Sequence, residues 1–180
     1  MRRKEFIMPK LRKMLGRIDA PETVALMRLI ETQSQATLAR WAVCYARSCC
    51  LALYEAALPG DARPRAALDA CAGYLDGGEL AGAKRAIREA VQAAREAAES
   101  VAQAAARAIS TACATVTTPT NALGFLFYTA AAVAYSEAGT CRSAEEYDAL
   151  ATRELERALD SLRASAVADE PHPAHINWNC

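Results

Sequence analysis

The side chains that could do chemistry in this chain are few and scattered. Its only histidines, His172 and His175, stand at a His-x-x-His spacing near the C-terminus, with Cys180 close behind. That trio could ligate a metal such as zinc, but Pro173 stiffens the segment and the tail reads as surface, so no metal site is assigned. Cysteines stand at 44, 49, 50, 71, 113, 141 and 180. They form no C-x-x-C pair, and their odd number and irregular spacing speak against a disulfide scaffold. Cys44, Cys71 and Cys113 fall on predicted helices and are expected as small core hydrophobes. Cys49 and Cys50 would point about 100° apart on a helix, which is poor geometry for joint ligation. No G-x-S-x-G, H-E-x-x-H or phosphate-cradling glycine loop occurs. The expectation is a non-enzymatic protein with no catalytic residues and no cofactor.

Two polar groupings suit binding better than catalysis. Glu55, Asp61, Arg63 and Arg65 flank the Pro59-Gly60 turn. They read as a patch that grips a partner or a small anion, since arginine makes bidentate contacts. The competing reading is a capping and salt-bridge network that fixes the turn, each surface pair contributing under about 1 kcal/mol. The run Thr115 to Asn121 places hydroxyls and an amide beside an apolar segment, where they must find partners or line a cavity. Thr117, Thr118 and Asn121 are therefore expected as pocket residues. Trp41, at helical spacing, is expected in the core.

The elements that must hold these groups are helices. Alanine fills nearly a quarter of the 180 residues and only 6% are aromatic, so an all-β fold is excluded in favour of helix. Lys+Arg 21 balances Asp+Glu 21, which disfavours a basic nucleic-acid binder. The balance hides an asymmetry. Arg2, Arg3, Lys4, Lys10, Arg12, Lys13 and Arg17 face only Glu5, making residues 1–18 a basic arm, expected as a solvated terminus. Arg142 to Glu170 is acidic. No apolar h-region follows the N-terminal charges, and Ala122 to Tyr135 is too short an apolar run to span a bilayer, so a cytoplasmic location is expected.

Periodicity and punctuation then divide residues 19–180, read as one domain. A first helix starts at Asp19-Ala20-Pro21-Glu22, with Asp19 as the expected cap. A second carries Leu38, Trp41, Ala42, Tyr45, Cys49, Ala52 and Leu53 as its core stripe and stops at Pro59-Gly60. A third, behind Asp61, ends at Gly77-Gly78. From Glu79 to Val116 the residues Lys84, Arg88, Gln92, Arg95, Glu99, Gln103 and Arg107 form one polar stripe, read as a solvated face, with a break expected near Ser100. Pro119 interrupts the next segment. A helix apolar nearly all round runs to Gly139, and Ser143-Ala144-Glu145-Glu146 resembles a capping box opening the last helix. Residues 168–180 form an extended tail that Ile176 and Trp178 could pin. The expectation is all-α: a single-domain bundle of six or seven helices.

Several segments, taken in order, resemble a known family. They are Trp41-Ala42 through Tyr45-Ala46, Pro59-Gly60-Asp61-Ala62-Arg63-Pro64-Arg65, and Ala93-Ala94-Arg95-Glu96-Ala97. Gln103 to Ile109, Thr118-Pro119-Thr120-Asn121-Ala122-Leu123-Gly124, Phe127-Tyr128 and the ending Pro173 to Cys180 follow. Together, from about Ala36 to Cys180, they are similar to the immunity proteins of the Imm-5-like family, helical bacterial proteins of polymorphic toxin systems. The histidines that members carry upstream of the position of Arg95 and around the Thr-Pro-Thr element are absent here. The resemblance implies a protein that binds and neutralises a cognate protein toxin, while the charge balance and the short apolar run lead to the expectation of no nucleic acid or membrane partner. Asp61, Arg63, Arg65 and Glu55 are its expected contacts. The acidic Arg142 to Glu170 segment is a second candidate face. A ligand-binding protein or enzyme with the Thr117 to Asn121 pocket, and a structural module that forms a homodimer through its alanine faces, remain alternatives.

Overall fold

The computed structural model describes residues 11–178, and among these the regular structure is all helix. The elements are α1 (Pro21–Ile30), α2 (Gln35–Ala46), a π-turn (Arg47–Leu51), α3 (Ala52–Ala57), α4 (Arg63–Leu75), α5 (Leu80–Glu96), α6 (Ser100–Ala114), α7 (Asn121–Ala138) and α8 (Ala144–Ser165). Because α2, the π-turn and α3 run on as one rod, they make seven helices in a bundle. No helix among the described residues is long and apolar enough to cross a membrane.

The breaks fall where local chemistry puts them. α4 ends in a Schellman motif: Gly77 takes φ +103°, its N–H reaches Tyr74 O (3.0 Å), and Gly78 N–H reaches Gly73 O (2.9 Å). The expected interruption near Ser100 is real. Glu99 caps α6 by accepting from the N–H groups of Val101 (3.1 Å) and Ala102 (2.8 Å). The capping box at Ser143 and Glu146 forms as expected. Asp19 does not cap α1. Ala20 holds that position, and Asp19 instead receives both Nε and a terminal nitrogen of Arg17.

The core sits along α6 and α7. α6 buries Ala102, Ala105, Ala108, Ile109 and Ala112, and such small side chains let α7 approach closely enough to seat Phe125 and Leu126. Trp41 and Tyr45 of α2 close over Phe125, with ring centroids 5.4 and 6.3 Å from it. Each such large apolar side chain, once buried, contributes roughly 1.5–3 kcal/mol.

Three expectations are corrected here. Cys44 is exposed, because it shares the outer face of α2 with Thr37 and Arg40, whereas Cys71 and Cys113 are buried as expected. The second stripe continues only in part: Cys49 and Leu53 are half-buried against the core and Ala52 is exposed. The π-turn, with its i→i+5 pairing, inserts a residue, so burial passes from Tyr45 to Cys50, Leu51 and Tyr54. The third concerns the basic arm. Arg2, Arg3, Lys4, Glu5 and Lys10 lie outside the described residues, but residues 11–18 are not a solvated extension. Leu15 is fully buried, its N–H donates to Phe127 O (3.0 Å), the Tyr135 hydroxyl donates to Arg12 O (2.6 Å), and Arg12 pairs with Asp148 (2.7 Å). Gly16 permits this seat. At φ +111° it passes so close to α7 and α8 that a Cβ would lie 2.9 Å from carbons of Phe127 and Leu155.

Candidate functional site

The four residues expected to grip a partner are brought together at the end of the bundle where α3 turns into α4. Asp61 is the hub. It accepts from the Arg63 backbone N–H (3.0 Å), from Arg63 Nε (2.9 Å) and a terminal Arg63 nitrogen (2.6 Å), and from the Tyr54 hydroxyl (2.7 Å). The same Arg63 nitrogen reaches Glu96 on α5 (2.7 Å), whose other oxygen takes a bond from Gln92 (2.9 Å). Arg65 grips Glu55 with two parallel bonds of 2.7 Å each, as a fork matched to a carboxylate. The network thereby ties α3, α4 and α5 into one surface.

Its electrostatics follow from that pairing. Hydrogen bonding to Arg63 holds the Asp61 carboxyl well below the usual carboxylate range. Burial first, and then the bond to Asp61, push the Tyr54 phenol up to about 12. The Glu96 carboxyl is lowered by Gln92 and Arg63, and that of Glu55 by Arg65. The carboxylates and arginines of the site are therefore all charged at neutral pH, and every one of them is paired within it. Tyr54 and Glu96 were invisible as members of it. Tyr54 comes one residue after the apolar position expected at Leu53, and Glu96 stands far away in sequence.

The other expected pocket residues lie on the connection between α6 and α7. The Thr117 hydroxyl donates back to Ala114 O (3.3 Å), and the Thr118 N–H donates to the same oxygen (3.0 Å). Asn121 begins α7 half-buried, and Gln35 at the start of α2 donates to Val116 O (2.8 Å). Thr115, just before them, is fully buried with its hydroxyl unpartnered.

A third polar group, not foreseen, lies against the π-turn. Glu154 of α8 is 4% exposed, yet both its oxygens are engaged, by the Tyr45 hydroxyl (2.8 Å) and by Arg157 (2.8 Å). Arg157 also reaches Cys49 Sγ (3.5 Å). Burial raises the Glu154 carboxyl, and burial beside Glu154 raises the Tyr45 phenol. One signal was available: Glu154 stands seven residues after Tyr147 and one before Leu155, on the buried stripe of α8.

The tail is fastened at Gln33. Its side-chain amide donates to Val167 O (3.1 Å) and accepts from Val167 N–H (2.7 Å), and its backbone carbonyl accepts from Ala174 N–H (2.8 Å). Trp178 donates to Glu31 (2.5 Å). His172 and His175 lie on this exposed strap, and Cys180, the third member of the considered metal trio, lies outside the described residues. Among the described residues no three His, Cys, Asp or Glu side chains are grouped to hold a metal.

Comparison with curated proteins gives no match, and comparison with solved structures gives none either. One family model does match, that of the Imm-5 like putative immunity protein, over residues 28–161. The matched span starts earlier than the resemblance in the sequence suggested and stops before the Pro173 to Cys180 ending. It takes in the α3–α4 end, α5, the Thr-Pro-Thr connection and most of α8. By this match over most of its length, the chain belongs to the Imm-5 like putative immunity protein family.

Proposed function

We propose that this protein binds a cognate toxin and neutralises it by covering the toxin's working surface, without chemistry of its own. The observation that carries the reading is the family match over residues 28–161. The α3–α4 end supports it physically. Glu55, Asp61, Arg63 and Arg65 are held in place by one another before any partner arrives, so little ordering entropy is lost on association. A pocket at Thr117, Thr118 and Asn121 has less support, since Thr117 spends its hydroxyl on its own helix end. Both proteins should be produced together in a sensitive host, with the toxin domain taken from the gene beside this one. Restored growth is the expected result. Undiminished killing at equal expression would sink the proposal.

A further inference from the structure

We propose that the outer face of α5, carrying Lys84, Arg85, Arg88 and Arg95, is where this protein holds an acidic surface of the toxin it neutralises. The inference rests on the immunity reading and names the chemistry of its contact. α5 packs chiefly on α4 and α6 through Ala83, Ala90, Ala93 and Ala94, and the opposite face carries the cations into solvent.

The contrast with the rest of the molecule is what singles this face out. Most arginines elsewhere are matched, Arg12 with Asp148, Arg40 with Asp76, Arg47 with Asp69, Arg153 with Glu137 and Arg163 with Asp160, and the unmatched Arg28 and Arg107 stand on two different helices, α1 and α6. The acidic segment Arg142 to Glu170 is half consumed this way, because Glu146, Asp148, Glu154 and Asp160 each hold an arginine, three of these from the segment itself, while Glu145, Glu156, Asp169 and Glu170 make no ion pair among the described residues. Lys84, Arg85, Arg88 and Arg95 make no ion pair among the described residues, although Glu89 stands at the edge of their face. Glu96, the remaining carboxylate of the helix, is already taken by Arg63 and Gln92. Like charges three and four residues apart repel on a helix, so the fold gains nothing from collecting cations here. A partner bearing carboxylates would.

The face also continues into the site described above. Lys84 to Arg95 covers about 16 Å along the helix, and the Arg63–Glu96 bond joins its C-terminal end to Asp61. Three exposed arginines favour bidentate contact with carboxylates. The chain's overall neutrality and the intervening Glu89 fit a protein surface better than a nucleic-acid backbone.

The test uses the full chain, the toxin domain encoded beside its gene, and the variant K84E/R88E/R95E. Glutamate is a good helix former, so α5 should persist, as circular dichroism would verify. The uncharged K84Q/R88Q/R95Q serves if the reversal does not fold, and K13E/R28E controls for a change of net charge elsewhere. At low salt the reversal should slow association roughly a hundredfold and abolish protection. That gap should narrow at about 0.5 M salt, where screening is short-ranged, while the control behaves as wild type. Wild-type association by the reversed variant would overturn the assignment and leave the immunity reading standing. No binding by the wild type would overturn both. Binding of a labelled 20-nucleotide RNA that needs these residues, with toxin association unchanged, would give the face to nucleic acid and overturn the assignment.

Discussion

Replacing Asp61 with alanine should damage stability in a way that can be dissected. The Tyr54 side chain is fully buried and its hydroxyl donates to Asp61 at 2.7 Å. Without the acceptor that hydroxyl is stranded, at a cost of about 1–3 kcal/mol. The bonds from Arg63 add less, about 1 kcal/mol, because that side chain is 30% exposed and screened by water. A total near 3 kcal/mol corresponds to a fall in Tm of roughly 6–12 °C for a chain of this size. Tyr54→Phe alone should cost about 1 kcal/mol, but in the Asp61→Ala background it should be neutral or stabilising, since it removes the stranded group. Because Arg63 depresses the Asp61 carboxyl, the stabilisation is present at neutral pH and is lost as pH falls through the carboxylate range. The gap between wild type and Asp61→Ala should therefore narrow progressively below about pH 4 by the share that depends on the Asp61 charge. Thermal melts of the four proteins across pH give every quantity. Equal destabilisation by Tyr54→Phe in both backgrounds would refute the reasoning.

Three further outcomes are expected. Gly16→Ala combines an unfavourable φ with contacts of 2.9 Å to Phe127 and Leu155, and should lower stability by about 2–3 kcal/mol in urea denaturation. An unchanged midpoint would show that residues 11–18 do not hold this seat. Glu154→Ala strands the Tyr45 hydroxyl and should cost about 2–3 kcal/mol. Burial holds that carboxyl above its ordinary range, so its contribution is fullest in acid and declines as pH rises, giving a deficit larger near pH 4 than near pH 8 in thermal melts, opposite in sign to Asp61. Gln33→Ala removes both side-chain bonds to Val167. Hydrogen-exchange protection at Val167 and Ala174 should fall at least about tenfold while α6 and α7 are unaffected; uniform loss would mean the strap is integral to the global fold.

The helical class was legible because alanine content, the apolar stripes and the proline and glycine breaks are local and agree with one another. Ser143-x-x-Glu146 and Gly77-Gly78 act on the nearest backbone groups, so their effect can be read without knowing the fold. The same locality explains the failures. Asp19 has the right chemistry for a cap, yet Arg17, two residues away, competes for its carboxylate. Cys44 lies among buried neighbours in sequence, but its direction on α2 carries it outward. Of the expected site, the cluster around Pro59-Gly60 was readable because its members are close in sequence.

The sequence by itself determined that this chain is a helical bundle, where most of its helices stop, which family it joins, and that Glu55, Asp61, Arg63 and Arg65 share one turn. Only the tertiary structure decided how the charges are spent. Whether an arginine is neutralised depends on a carboxylate that arrives from another helix, as Glu96 does for Arg63 and Asp148 for Arg12. The π-turn likewise reveals itself only where α2 and α3 meet α8 and the Asp61 turn, because packing on both sides carries burial from Tyr45 to Cys50, Leu51 and Tyr54. Short-range rules act through backbone hydrogen bonds a few residues apart, whereas burial and ion pairing are set by distances in space that no local pattern encodes.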